Sequence, residues 1–134
     1  MEKTLAIIKP DVVKEKKIGE IISILEKHFT IKEMIMTTLS KSEAEEFYKE
    51  HKGKDFFNRL IEFMTSGPIV VIVLEGPNAT QKLRELVGDT DPQKAKQDTI
   101  RKKYGKNLPE NAIHASDSQS SAEREIKFFF KKTT

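Results

Sequence analysis

The sequence predicts an α+β fold in which one antiparallel four-stranded sheet carries helices, and three observations predict it. Four short apolar runs, at residues 4–8, 31–39, 69–74 and 112–115, have the length and composition of strands. The stretches between them switch to helical spacing of apolar residues, with Glu and Lys on the other face. A length of 134 residues with 37% hydrophobic side chains fits one domain, spanning 1–134.

Taken in order, residues 4–8 (Thr-Leu-Ala-Ile-Ile) form a buried strand that Pro10 stops by removing a ladder donor. Ile18, Ile21, Ile22, Leu25 and Phe29 then recur at helical spacing, followed by a second strand over 31–39. Ser40 with Glu43 is a capping box, so a helix should start there and run towards His51. Beyond Gly53 a further helical stretch covers 56–64. The near-continuous aliphatic run 69–74, between Pro68 and Gly76, is the strongest strand. Asn78 should cap a helix through Leu86 that ends at Gly88. Residues 88–109 are polar, turn-rich and basic around one short apolar element at Ile100, and a loop this long is more often functional than idle. A short strand over 112–115 follows, and Ser120 with Glu123 reads as a capping box opening a last helix through Phe130. The order condenses to β-α-β-β-α-β with extra helices, the ferredoxin-like arrangement of an antiparallel sheet covered on one face. Its open face should be covered by something else, often another subunit.

Composition excludes several classes of function. There is no cysteine, so disulfides, zinc ribbons and thiolate chemistry are ruled out. The net charge of +3, from 24 basic and 21 acidic residues, assists a small anion but does not argue for nucleic acid. The longest apolar run is far below the ~20 residues that span a bilayer, and the first residues lack a signal-peptide core. The expected setting is cytoplasmic, without membrane attachment. RNA-binding members of the ferredoxin-like scaffold stack bases on strand aromatics, and the strands at 5–8 and 69–74 have none.

Of three histidines, His28 and His51 read as helix-terminal residues at the favourable end of the dipole. His114, within Asn111-Ala112-Ile113-His114-Ala115-Ser116-Asp117, stays open on spacing alone between a structural and a reactive role. A fold that gathers strand ends would bring Lys9, Arg84, Thr90 and Arg101 onto polyphosphate oxygens, which the planar arginine fork binds two at a time. By composition alone the same loop reads as a solvated basic surface. No glycine-rich phosphate loop is present, so side chains would have to hold any phosphates.

The run Asn111-x-x-His114-x-Ser116-Asp117 resembles the active-site signature of nucleoside diphosphate kinases. The resemblance covers nearly the whole chain in separated blocks: residues 6–11, 48–57, 63–68, 88–92, 99–101 and 121–126. It implies ping-pong transfer of the γ-phosphate from a nucleoside triphosphate, typically ATP, to a nucleoside diphosphate, which maintains triphosphate pools. By the same resemblance His114 is the nucleophile, Glu125 binds its other ring nitrogen, and Ser116 supports Glu125. Lys9, Tyr48, Arg84, Thr90, Arg101 and Asn111 would surround phosphates and ribose, while Phe56 stacks on the base beside Leu60. Mg2+ would bridge the phosphates with few protein ligands. The family implies a homotetramer or homohexamer built from dimers.

Three departures stand out. Ala115 occupies a place where the family usually has glycine; it costs ~1–2 kcal/mol if positive φ is required there, and nothing if only a small side chain is. The favoured reading is the latter. Lys96-Gln97-Asp98 replaces the usual proline- and glycine-containing approach to Thr99. Phe128-Phe129-Phe130 comes close before Thr134 and reads as a core or interface contact.

Overall fold

Alternation along the first strand decides the architecture of the computed structural model, which describes residues 1–107 and 110–130. β1 (Glu2–Ile8) buries Leu5 and Ile7 towards one face and Ala6 and Ile8 towards the other, all fully. A strand buried on both sides belongs at the centre of a covered sheet. With β2 (Thr30–Thr37), β3 (Ile69–Gly76) and β4 (Ile113–Ala115), the order is β2-β3-β1-β4, every neighbouring pair antiparallel. This is the predicted ferredoxin-like sheet.

The predicted open face is covered by the chain itself. One face packs on α2 (Ile18–Glu26) and α5 (Ala79–Val87) through Ile21, Leu25, Leu83 and Val87. The other packs on α3 (Lys41–Phe47), α4 (Phe57–Met64) and α7 (Gln119–Phe129) through Phe47, Leu60, Ile61, Met64 and the phenylalanines at 128 and 129. The helices inserted between β2 and β3 therefore do what a second subunit was expected to do. Each fully buried aliphatic side chain here is worth ~1.5–3 kcal/mol, so the second layer is a core in its own right.

Local differences have local causes. Pro10 ends β1 and also opens an unpredicted one-turn helix, α1 (Pro10–Lys14), because its fixed φ suits a first helical position. The Ser40 capping box forms, but α3 stops at Phe47 and a separate 3-10 turn, Lys49–His51, continues to the histidine. Asn78 has φ 53° and makes no side-chain cap; the Thr80 N–H is instead taken by Glu2 Oε2 at 2.7 Å. The last helix is capped by Ser118, whose Oγ accepts from the Ser121 N–H at 3.1 Å, and not by Ser120. Within the loop after α5, α6 (Ile100–Tyr104) is capped by Thr99. Leu108 and Pro109, which that predicted loop includes, lie outside the described residues. The outer strand β2 is half exposed along its length and turns Met34 and Met36 to solvent.

Candidate active site

β4 is three residues long, and pairing fixes its faces. Ile113, His114 and Ala115 lie opposite Ile8, Ile7 and Ala6 of β1. His114 thus shares a face with Ile7, towards α3 and α7, while Ile113 and Ala115 join the core against α2 and α5. Ala115 is in extended strand, so its small side chain is what matters and no strain arises there. Positive φ falls three residues earlier, at Ala112 (φ 77°). The Ile113 N–H donates to the Asn111 carbonyl at 2.9 Å, closing a γ-turn around Ala112. A non-glycine residue held there costs ~1–3 kcal/mol, which the surroundings must offset.

The imidazole is tied by one nitrogen. His114 Nε2 lies 2.8 Å from Glu125 Oε1, and the Ser116 hydroxyl donates to the same oxygen at 2.6 Å. Glu125 comes from α7, which packs back on β1, so helix and strand hold the pair from two sides. Burial pushes the Glu125 carboxyl up, but His114, the Ser116 hydroxyl and Arg124 outweigh it and keep the group below its ordinary range. An ionised Glu125 accepts and cannot donate, which places the ring proton on Nε2 and leaves a lone pair on Nδ1.

Polyphosphate-binding groups gather beside it. Lys9 Nζ donates to Asn111 Oδ1 at 2.7 Å, and Asn111 Nδ2 donates to the Thr90 carbonyl at 2.9 Å, so one amide links the end of β1 to the loop after α5. Lys9 is 5% exposed, and burial first, then Arg101, lower it to about 7 against the opposing pull of Asp11. Arg101 has a structural part as well. Two of its N–H groups already donate to the carbonyls of Gly88 (3.0 Å) and Ile113 (2.9 Å), while burial and Arg84 lower it to about 10. Its fork steadies the loop as well as facing the cavity. Gly88 is required at that point, since its φ is 93° and a Cβ there would sit 2.6 Å from the Thr99 side chain.

Part of the cavity wall is aromatic, from the side of His114 out to the mouth. Tyr48 is buried, its ring 6.0 Å from that of His114, with a hydroxyl that has no hydrogen-bond partner among the described residues. Burial, reinforced by Glu125, pushes the Tyr48 phenol up. Phe56 is 41% exposed at the mouth, with Lys54 Nζ 5.9 Å from its ring, and Leu60 is buried.

Together these side chains line a cavity of about 320 Å³. Every predicted site residue is on its wall except Ser116, which lies behind Glu125. Phe47, Glu50, His51, Asp117 and Arg124 line it too, and the sequence reading did not assign them. His51 follows Tyr48 by three residues, the spacing that would have placed both on one helical face. Asp117 stands inside the histidine motif itself. Burial, then Lys54, lowers His51, whereas the Ser121 hydroxyl lowers Asp117.

A family model described as "Nucleoside diphosphate kinase" matches residues 2–134. The nucleoside diphosphate kinase of Chlamydia felis is 53% identical over 134 residues, covering 99% of this chain and 95% of that one. The solved nucleoside diphosphate kinase of Aquifex aeolicus superposes with a TM-score of 0.93 at 42% identity, covering 96% of this chain and 94% of that one. A structure of the Halobacterium salinarum enzyme in complex with CDP gives a TM-score of 0.94 at 41% identity, covering 98% and 88%.

Proposed function

The chain belongs to the nucleoside diphosphate kinase family, and on that premise we propose that His114 Nδ1 carries the phosphate between nucleotides. The chain is a phosphotransferase acting on nucleotides. One observation carries the proposal: Nε2 is engaged by an ionised carboxylate, so the lone pair is left on Nδ1 of a ring that lines the same cavity as Lys9, Arg84 and Arg101.

The chemistry follows from that arrangement. The Nδ1 lone pair attacks the γ-phosphorus, the bond to the β,γ-bridging oxygen breaks, and the nucleoside diphosphate leaves with that electron pair. The Nε2 proton stays on the ring, where Glu125 balances the positive charge that phosphorylation creates. A β-phosphate oxygen of a second nucleoside diphosphate then attacks, and the P–N bond breaks. Lys9, Arg84 and Arg101 offset charge on the transferring group, and Asn111 and Thr90 orient it. Tyr48 acts beside them through its hydroxyl, which has no partner among the described residues. Phe56 stacks on the base with Leu60 below, a contact indifferent to base identity.

Among the described residues no three His, Cys, Asp or Glu side chains form a metal-binding group. Of the cavity's carboxylates, Asp117 and Glu50 would be the ones to help hold an Mg2+ ion that comes in with the nucleotide, and the ion would supply further charge compensation. We further assign the chain to the cytoplasm and to a homo-oligomer built from dimers, for which the exposed Met34 and Met36 on outer strand β2 offer an apolar contact. No helix among the described residues is long and apolar enough to cross a membrane.

Incubation with γ-labelled ATP should give an acid-labile, base-stable phosphoenzyme that discharges onto any added nucleoside diphosphate. Label retained by His114→Ala, or none on the wild type, would refute the assignment.

A further inference from the structure

Arg124 stands on the cavity wall with no part in the transfer just described. It directly precedes Glu125 on α7, and adjacent residues of a helix do not face each other. The two side chains meet because the arginine folds back. Its guanidinium carbon lies 5.9 Å from the centroid of the Phe47 ring, and Phe47, at the end of α3, is 2% exposed. A planar cation sits well on an aromatic ring, so a buried one gives the guanidinium a fixed seat. From there Nη2 comes to 3.7 Å from Glu125 Oε2. The same Phe47 ring lies edge-on to the imidazole of His114, centroids 5.4 Å apart, so one side chain braces both partners of Glu125.

The two oxygens of Glu125 are therefore held differently. Oε1 meets His114 Nε2 at 2.8 Å and the Ser116 hydroxyl at 2.6 Å. Oε2 meets the Arg124 charge. A carboxylate held at one oxygen still turns about its last bond, and a cation on the other oxygen fixes its plane. The Glu125 side chain is 6% exposed and that of Arg124 33%, so water and salt screen this pair less than one on the open surface. A cation there also makes Glu125 a poorer proton acceptor, and the proton stays on Nε2 when phosphorylation makes the ring cationic. In the second half-reaction the P–N electron pair then returns to Nδ1 of a ring that leaves neutral. With its proton lost to Glu125, the ring would have to leave as an anion.

We propose that Arg124 is a positioning residue: seated on the Phe47 ring, its guanidinium holds the second oxygen of Glu125, so that Glu125 keeps its grip on His114 Nε2 through both half-reactions. The inference rests on the function proposed above. Loss of that grip lowers the rate of chemistry and leaves the groups that bind the nucleotide in place.

The test is rapid-quench measurement of phosphoenzyme formation from γ-labelled ATP and of its discharge onto ADP, in the full chain and normalised to titrated active sites, alongside ADP binding by equilibrium dialysis. Arg124→Ala should slow both steps by about 5- to 50-fold and change ADP affinity less than about threefold. Arg124→Lys keeps a cation and should recover most of the loss. In a Glu125→Gln background there is no carboxylate charge to hold, and Arg124→Ala should cost less than about twofold. Nitrogen NMR of the His114 ring should show the proton on Nε2 in wild type and a mixture of tautomers in Arg124→Ala. Should Arg124→Ala fold poorly, Arg124→Gln replaces it. The proposal falls if the neutral variant matches wild type in both steps, if Arg124→Lys loses as much, or if the loss persists in full in the Glu125→Gln background. It also falls if ADP affinity drops as far as the rates, since the guanidinium would then serve the nucleotide directly. A wild type that forms no phosphoenzyme would overturn the assigned function and this inference with it, which the variants alone would not.

Discussion

The two ends of the cavity are built differently. Around His114, donors and acceptors from β1, β4, α7 and the loop after α5 meet at 2.6 to 2.9 Å. At the mouth stands Phe56, half in solvent, its ring 5.4 Å from that of His51, whose Nδ1 has no hydrogen-bond partner among the described residues. The first end is organised before substrate arrives, as charge stabilisation in a transition state requires. The second offers area and little directional bonding. An enzyme that must accept any base while moving one group gains from that division.

The largest test of the division removes the nucleophile: His114→Ala should abolish turnover and label while leaving nucleotide binding within about tenfold, as equilibrium dialysis would show. Glu125→Ala comes next. Freed of its partner, the ring can adopt the wrong tautomer, and kcat should fall about 10²- to 10⁴-fold with KM little changed. If KM rises instead, Glu125 serves binding and the contrast between the ends is lost. Phe56→Ala should do the reverse, weakening nucleotides by about 1–3 kcal/mol, roughly 5- to 150-fold in KM, with kcat nearly intact. A similar loss for every base would sharpen the comparison; a loss confined to one would break it.

The smallest effect is a proton. Burial and Arg101 hold Lys9 at about 7, below its ordinary 10.5, so above pH 7 the free enzyme carries it mostly neutral. A bound polyphosphate restores the charge. Nucleotide binding should therefore take up part of a proton between about pH 7 and 10, and affinity should fall as pH rises through that window. Calorimetry in buffers of different ionisation enthalpy near pH 8.5 measures the uptake, and zero uptake would show Lys9 already charged. The sign for stability is opposite. The unfolded chain binds a proton that folded Lys9 does not, so this residue's burden on the free fold eases as pH rises from 7 to 10.5.

What could be read from the sequence was what is local. Asn111, His114 and Ser116 stand in one run, and the strands announced themselves by aliphatic content. Glu125 was placed only by resemblance, since nothing in its own surroundings marks it, while Arg84 was drawn in by the basic loop that follows it. The γ-turn at Ala112 had no local signal at all, because alanine disfavours positive φ and the conformation is held by a contact from Lys9, more than a hundred residues away. Ser120 with Glu123 matched the capping box, yet the extended backbone at Ser118 is where the chain turns into α7. Arg101 was read as a phosphate-binding residue, and its structural bonds to two carbonyls could not be seen before the loop was folded.

The pairing of three residues of β4 with β1 has a consequence for how errors in folding would show. Side chains on a strand alternate, so shifting β4 by a single position against β1 would turn the imidazole into the layer of α2 and α5 and bring an isoleucine or an alanine to the cavity. Such a molecule would keep its helices and most of its buried surface and still be chemically silent. The two apolar neighbours of His114 guard against it, because each would have to surrender its own place in the opposite core first.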